Sequence, residues 1–238
     1  MRLTRVTIPS ATASLSALLY EPVAPRVRAC VTLAHGYTAS KESLDLLAAY
    51  LCRKGFGCLT FDFRGHKLGG SGAMMESPAD ACDDLQAAAT HTMAHFGQRS
   101  LLLVGHSLGA LASLAVAEQL GAVAGVAAIA AGMRPSSGFD SKAGRALHEQ
   151  RSDYVAGAPT EQFLAVLDGL AASVRRPQGL PALFVAARRD AFVHPASVRE
   201  LAERTGGLHR YAEIDAGHAD APTKAGGVVA RWALSVAR

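Results

Sequence analysis

The chain has 238 residues, half of them apolar, with 24 Lys and Arg, 20 Asp and Glu, and a net charge of +4. A chain of this length and composition can bury one large core, so we expect a single domain over residues 1–238. The basic residues are dispersed rather than clustered, which argues against nucleic-acid binding. No apolar run approaches the ~20 residues of a membrane span, and the N-terminus lacks a leader pattern, so we expect no membrane association and a cytoplasmic protein.

The hydrophobic pattern changes along the chain. Residues 2–8 and 14–20 alternate polar and apolar, as antiparallel edge strands do. From residue 29 onward the apolar runs are continuous, which predicts strands buried on both faces and therefore a mostly parallel sheet with helices on both sides. The predicted strands of this part are 29–34, 58–63, one ending just before Ser107, 125–131, 181–187 and 208–215, and the predicted helices are 41–54, 79–96, 108–120, 196–205 and 223–236.

One connection is too long for this architecture. About fifty residues separate the strand that ends near Ala131 from the strand that begins at Pro181, whereas a plain crossover helix needs far fewer. We therefore expect an insertion, which the sequence divides into short helices around 141–153 and 160–174.

Residues 100–120 form a pattern of buried strand, glycine-flanked serine and helix. A sharp strand-to-helix turn brings its flanking residues against neighbouring backbone, and Gly105 and Gly109 remove the side chains that would collide there. Such a turn exposes the hydroxyl of Ser107 and directs the amide of Leu108 toward an oxyanion formed beside it. The pattern predicts a nucleophile elbow.

A serine hydroxyl is a weak nucleophile at neutral pH, so it needs an imidazole to take its proton and a carboxylate to orient that imidazole. Asp190 and His218 each follow a predicted strand downstream of Ser107. Asp215 is the competing acid, but it lies only three residues before His218 at the end of the same strand, which favours a structural role. We predict Ser107, Asp190 and His218 as the catalytic residues.

The chain resembles the α/β-hydrolase family from about residue 29 to about residue 230. The order Ser, Asp, His agrees with that family, and several further segments fit it. The motifs that carry the resemblance are, in chain order, His35-Gly36-Tyr37, Asp62-Phe63-Arg64-Gly65-His66, the elbow Gly105-His106-Ser107-Leu108-Gly109, and the loops with Asp190 and His218.

The resemblance implies an α/β-hydrolase fold, and it adds two features to the site. The backbone N–H of Tyr37 would be the second oxyanion donor, beside that of Leu108. The insertion, at 133–178, would be a small helical lid over the active site. Its apolar residues would line a substrate pocket or pack the lid onto the core, and the candidates are Met133, Phe139, Tyr154, Phe163, Leu164 and Leu167, with Phe192 beside them.

Other chemistries have less support. His91 and His95 have the spacing of metal ligands on a helix, but no third ligand is evident, so we expect a solvated helix face and no metal. The four cysteines match no zinc or redox spacing and are expected to be buried, reduced thiols. Arg188 and Arg189 adjoin the proposed acid and either are surface residues or meet an anionic substrate.

The motifs look like those of short-lidded serine carboxylesterases, and the predicted reaction is ester cleavage through an acyl-enzyme, with no cofactor. Acyl thioesterase is the alternative of the same chemistry, and a ligand-binding protein without catalysis is the alternative of another class. An aminopeptidase would need an acidic clamp for a free amino terminus, and no acidic cluster indicates one. A short lid favours short to medium acyl groups on a small-molecule substrate.

Overall fold

A computed structural model describes residues 1–23, 27–97, 100–175, 179–207 and 209–237. Its strands form one eight-stranded sheet in the order β1-β2-β4-β3-β5-β6-β7-β8. The strands are β1 (Arg2–Ser10), β2 (Ala13–Glu21), β3 (Cys30–Ala34), β4 (Gly57–Phe61), β5 (Leu101–His106), β6 (Val123–Ile129), β7 (Ala182–Ala187) and β8 (His209–Ile214).

The sheet is antiparallel only at its N-terminal edge. The hairpin of β1 and β2 joins β4 antiparallel, and every later pairing from β4 to β8 is parallel. The change follows the sequence, since β1 is exposed from Arg2 to Arg5 and alternates only from Val6 to Ser10, whereas β3, β4 and β5 are buried throughout. The predicted mostly parallel sheet is confirmed.

Helices cover both faces of the sheet. They are α1 (Asp45–Arg53), α2 (Pro78–Phe96), α3 (Leu108–Val116), α4 (Lys142–Arg151), α5 (Thr160–Ser173), α6 (Pro195–Arg204), α7 (Ala221–Lys224) and α8 (Gly226–Val236). Along β5, Leu101 and Leu103 pack with α2, α3 and α5, while Leu102 and Val104 pack with α1 and α8. This alternation explains why β5 is apolar at every position, because each face meets its own core.

Three predicted helices differ from the structure at their ends. The helix predicted over 41–54 starts as a 3₁₀ turn, Lys41–Leu44, and α1 begins at Asp45. The helix predicted to reach residue 120 ends at Val116, and turns then lead to Gly121, whose φ is +59°. The helix predicted over 223–236 is divided into α7 and α8, with the second helix starting at Gly226. The break falls at Ala225, directly before the consecutive glycines at 226 and 227, which have low helix propensity.

The connection between β6 and β7, here called the β6–β7 segment (130–181), is helical as predicted. It contains 3₁₀ turns at Pro135–Phe139 and Ser152–Tyr154 together with α4 and α5. Positions 176–178 of the predicted lid range lie outside the described residues. Whether the segment acts as a lid stays a prediction.

The middle of the β6–β7 segment is hydrogen-bonded to the loop after β4. The amide of Lys67 donates to the Tyr154 carbonyl at 2.8 Å, and the amide of Ala156 donates to the Gly65 carbonyl at 2.8 Å. Met75 donates to the Ala156 carbonyl at 2.8 Å, and its own carbonyl accepts from Ala158 at 3.1 Å. Residues 154–158 are therefore fixed to the main fold by their backbone.

Across the described ranges, no helix combines the length and hydropathy needed to cross a membrane. The four cysteines are free thiols, and three of them are buried. Burial raises the pKa of Cys30 and of Cys82 to about 11, so these thiols stay protonated at neutral pH.

Candidate active site

Ser107 occupies a strained turn between β5 and α3. Its φ of 52° and ψ of −114° are rare for a residue with a side chain, and such strain persists only where the surroundings impose it. A Cβ at Gly105 would lie 2.2 Å from the Gly109 carbonyl oxygen, and one at Gly109 would lie 2.2 Å from the Ala34 carbonyl oxygen. Both glycines are required by backbone contacts, and the strand–serine–helix turn predicted from them is present.

Asp190 and His218 meet at the carboxyl edge of the sheet. His218 Nδ1 donates to Asp190 Oδ2 at 2.7 Å, and the Asp190 side chain is fully buried while 20% of the His218 side chain is exposed. The other carboxylate oxygen, Oδ1, accepts from the amides of Phe192 and Val193, both at 2.8 Å. Three donors therefore hold the carboxylate. The carboxylate in turn keeps the proton of the neutral imidazole on Nδ1, which leaves the Nε2 lone pair available to accept a proton.

The competing acid lies elsewhere. Asp215 is 72% exposed and forms an ion pair with Arg189 at 3.0 Å. The structure brings Asp190, rather than Asp215, to the imidazole of His218. The Arg189 guanidinium therefore pairs with Asp215 at the surface.

Ser107 and His218 line the same cavity. In the described structure the Asp190 to His218 hydrogen bond is formed, whereas none joins the Ser107 hydroxyl to the imidazole. Hydrogen bonds between nucleophile and base are often long in unliganded sites and tighten when substrate binds. The rings of His106 and Phe192 pack against His218, with centroids 4.7 Å and 5.5 Å away, and restrict its rotation.

The loop after β3 passes directly beside the elbow. A Cβ at Gly36 would lie 3.3 Å from Ser107 Cβ, and the Gly109 amide donates to the His35 carbonyl at 3.1 Å. His35 itself is fixed, because Nδ1 donates to the Gly36 carbonyl at 2.8 Å and Nε2 accepts from the Phe63 amide at 3.1 Å. The predicted donor at residue 37 follows this rigid turn.

The two predicted oxyanion donors differ in how they are supplied. Leu108 is the first residue of α3, so its amide has no acceptor within the helix. Tyr37 supplies an amide from the loop, and its side chain reaches the β6–β7 segment: its hydroxyl lies 3.2 Å from Thr160 Oγ1, and its ring stacks on Phe163 at 4.9 Å. The loop that carries the Tyr37 amide is therefore braced against α5.

A cavity of about 340 Å³ lies above Ser107. Of the candidate pocket residues, Phe139, Leu164, Leu167 and Phe192 line it. Sequence reasoning missed other contributors, which come from the loop after β3, from the loop after β4, from α4 and from the start of α5: Thr38, Ala39, Ser40, Ser43, Leu68, Leu147, Arg151 and Thr160.

The other three candidates lie outside the lining of this cavity, and the structure corrects their placement. Met133 is 7% exposed in the core beneath, with its amide bonded to Ser197. Phe163 is 1% exposed and stacks behind Tyr37. Tyr154 lies under the guanidinium of Arg151. These side chains pack the β6–β7 segment onto the protein. Packing onto the core was the second role that the sequence allowed for these apolar residues.

Three histidines near the site are buried and neutral. Burial lowers the pKa of His66 to about 4 and holds the pKa of His35 and of His106 well below the ordinary 6.5. His91 and His95 stack on each other, and His95 contacts Glu21. Over the residues that the structure describes, no group of three or more His, Cys, Asp or Glu side chains could hold a metal ion.

A buried ion pair supports the cavity wall formed by residues 38–43. Lys41 Nζ donates to Asp62 Oδ2 at 2.6 Å, and Asp62 also accepts from the amides of Lys41 and Gly70, both at 2.8 Å. Burial alone would lower the pKa of Lys41, but hydrogen bonds to Asp62 and Glu42 outweigh it, so the pKa is raised and the Lys41 ammonium stays protonated. Asp62 belongs to the Asp-Phe-Arg-Gly-His motif, whose first residue thus anchors this wall.

A mostly parallel eight-stranded sheet with a strained serine after β5, and with an acid and a histidine after β7 and β8, defines an α/β hydrolase. The sequence model of the family described as serine aminopeptidase, S33, matches residues 25–159. This is more than half of the chain, and the chain belongs to this family of α/β hydrolases. The resemblance inferred from the motifs is confirmed.

Solved structures share the fold at low sequence identity. An esterase of Pyrococcus furiosus has 19% identity and a TM-score of 0.76, over 100% of this chain and 94% of the other. An esterase domain from Rhodothermus marinus has 24% identity and a TM-score of 0.72, over 100% of both chains. An α/β serine hydrolase without a lid from Xanthomonas campestris has 19% identity and a TM-score of 0.69, over 98% of this chain and 94% of the other. Among curated proteins, no sequence matches this one.

Proposed function

We propose that this protein is a serine hydrolase that cleaves acyl esters of small molecules through Ser107, His218 and Asp190. The observation that carries the proposal is the buried Asp190 carboxylate bonded to His218 Nδ1 at the wall of the cavity that Ser107 also lines. A hydrogen-bonded acid and histidine, placed beside a serine on a strained turn, are the parts that activate a hydroxyl.

The reaction proceeds in two halves. His218 Nε2 takes the Ser107 proton as Oγ attacks the ester carbonyl, and the amides of Leu108 and Tyr37 hold the oxyanion. The protonated imidazole then gives its proton to the leaving alcohol as the C–O bond breaks, which leaves an acyl-serine. Water, deprotonated by His218, attacks that acyl group; the acyl–Oγ bond then breaks, the carboxylic acid leaves, and the imidazolium returns the proton to Ser107 Oγ. Asp190 holds the imidazole in place throughout.

The cavity lining favours an ester over a peptide. An aminopeptidase must bind a protonated α-amino group, for which a carboxylate is the usual partner. Within the described lining there is no Asp or Glu, and the walls are chiefly apolar or hydroxyl-bearing. A volume of about 340 Å³ fits short to medium acyl groups. The short lid predicted from the sequence leads to the same expectation.

The test is the Ser107→Ala variant with p-nitrophenyl butyrate. The proposal expects turnover to disappear while the near-UV circular dichroism spectrum of the variant stays that of the wild type. A fluorophosphonate probe should label the wild type and not the variant. Retained turnover would reject Ser107 as nucleophile, and a wild type that neither turns over nor labels would favour a ligand-binding protein.

The leaving group is tested separately. Esters and acyl-CoA thioesters with matched acyl chains should be compared by kcat/KM from two to sixteen carbons. We expect esters with short to medium chains to be preferred. A preference for thioesters would assign the same site to the thioesterase alternative, and fastest turnover of the longest chains would reject the pocket size proposed here.

A further inference from the structure

The cavity over Ser107 carries one permanently charged side chain among its described lining residues, Arg151. The structure places no carboxylate in that lining, and Arg151 forms no ion pair with a described Asp or Glu. A guanidinium presents five N–H donors in a planar fork that matches a carboxylate. No described carboxylate of the protein pairs with this guanidinium.

The position of Arg151 is defined by its neighbours. It is the last residue of α4, and Leu147, one turn earlier on the same helix face, also lines the cavity. The Arg151 guanidinium carbon lies 5.4 Å from the centroid of the Tyr154 ring, a cation–π contact. Tyr154 is itself fixed, because its carbonyl accepts from the Lys67 amide at 2.8 Å.

Exposure locates Arg151 at the mouth of the cavity. Its side chain is exposed, and so is Leu68, another lining residue, at 55%. Deeper lining residues such as Leu164 and Leu167 are buried. A substrate seated with its ester at Ser107 therefore has apolar walls on the way out and a cation at the exit.

We propose that Arg151 binds a carboxylate carried by the substrate, so that the preferred ester has an anionic group at the end remote from the scissile bond. The inference rests on the proposed ester hydrolysis and specifies its substrate class. The carboxylate belongs either to the acyl part, as in the half-ester of a dicarboxylic acid, or to the alcohol part. Both present the same group to the guanidinium, and matched substrates separate them.

The experiment compares anionic and neutral esters of equal length. On the acyl side the pair is p-nitrophenyl hemiadipate and p-nitrophenyl hexanoate. On the alcohol side it is 4-carboxyphenyl hexanoate and phenyl hexanoate. Initial rates, corrected for spontaneous hydrolysis, give kcat and KM for the wild type, for Arg151→Gln and for Arg151→Lys.

We expect Arg151→Gln to lower kcat/KM for one of the two anionic esters by about tenfold, through KM, because an exposed charge-assisted pair is lost. Its effect on the matched neutral ester should be less than about twofold. Arg151→Lys should restore part of the preference, and added NaCl should reduce it in the wild type.

Arg145→Gln is the matched control. Arg145 lies on the same helix and is exposed, but its guanidinium donates to the Asp140 carbonyl and it does not line this cavity. Both substitutions remove one positive charge from α4. An equal loss from Arg145→Gln, or an equal effect of Arg151→Gln on neutral and anionic esters, would overturn the inference. Turnover of the neutral esters by the wild type tests the proposed function independently.

Discussion

Replacing Asp190 by Asn changes the tautomer of His218 while preserving the shape of the side chain. Oδ1 accepts two backbone hydrogen bonds, from Phe192 and Val193 at 2.8 Å, so the Asn carbonyl oxygen takes this position. The Asn amino group then takes the place of Oδ2 and faces His218 Nδ1, which lies 2.7 Å away in the wild type. Two donors cannot face each other, so Nδ1 must become the acceptor and the proton moves to Nε2.

A protonated Nε2 on a neutral imidazole cannot take the Ser107 proton. We therefore expect kcat to fall on the order of 10⁴-fold, which corresponds to about 5.5 kcal/mol of lost transition-state stabilisation. The two backbone hydrogen bonds are retained, so the free energy of unfolding should change by no more than about 1 kcal/mol. Steady-state hydrolysis of p-nitrophenyl butyrate and urea unfolding measure the two quantities.

Asp215→Asn is the control for this substitution, since it removes the exposed acid that pairs with Arg189. Its effect on kcat should be less than about twofold, as for most surface ion pairs. The reasoning fails if Asp190→Asn stays within tenfold of the wild type, or if Asp215→Asn is the more damaging change.

Further expectations concern stability. Burial holds the pKa of His66 near 4 in the folded protein, whereas the unfolded chain binds the same proton near pH 6.5. The contribution of His66 to the free energy of unfolding is therefore complete above pH 6.5 and is lost as the pH falls toward 4. Protonation of this histidine should lower the free energy of unfolding by about 2 kcal/mol between pH 7.5 and pH 5. Urea unfolding of His66→Gln should therefore depend less on pH than that of the wild type, and an unchanged dependence would contradict the assignment. Gly109→Ala places its Cβ against a main-chain carbonyl of β3 at 2.2 Å and should cost about 3 kcal/mol, whereas Gly169→Ala, with nothing within 4 Å, should be neutral or stabilising. Lys41→Met leaves the Asp62 carboxylate buried without its cation and should cost about 3 kcal/mol, partly recovered when Asp62→Asn is added; an unchanged urea midpoint in the single variant would show that the pair is dispensable.

The elbow could be predicted from sequence because its requirements are local. Close backbone approach demands glycine at both flanking positions, and no other residue type fits the 2.2 Å clearances at Gly105 and Gly109. Asp190 was distinguishable from Asp215 because Asp215 lies only three residues before His218 at the end of the same strand, whereas the loop after a neighbouring parallel strand reaches the same sheet edge. Such features depend on a few neighbouring residues or on strand order alone.

The cavity lining was less predictable because packing and lining require the same apolar residue types. Met133 and Phe163 are as apolar as Leu164, yet they pack inward while Leu164 faces the cavity. The outcome depends on how α4 and α5 rest on the sheet, which a single sequence does not encode locally. Leu147 and Arg151 share one face of a predicted helix, and that spacing is the feature from which they could have been found.

The four backbone hydrogen bonds between residues 154–158 and the loop after β4 pin the β6–β7 segment at its midpoint. The half of the segment that contains α5 is held further, since Thr160 and Phe163 contact Tyr37. Leu147 and Arg151 lie on one face of α4 and both line the cavity, so we expect any widening of the cavity mouth to displace the apolar side chain and the guanidinium together.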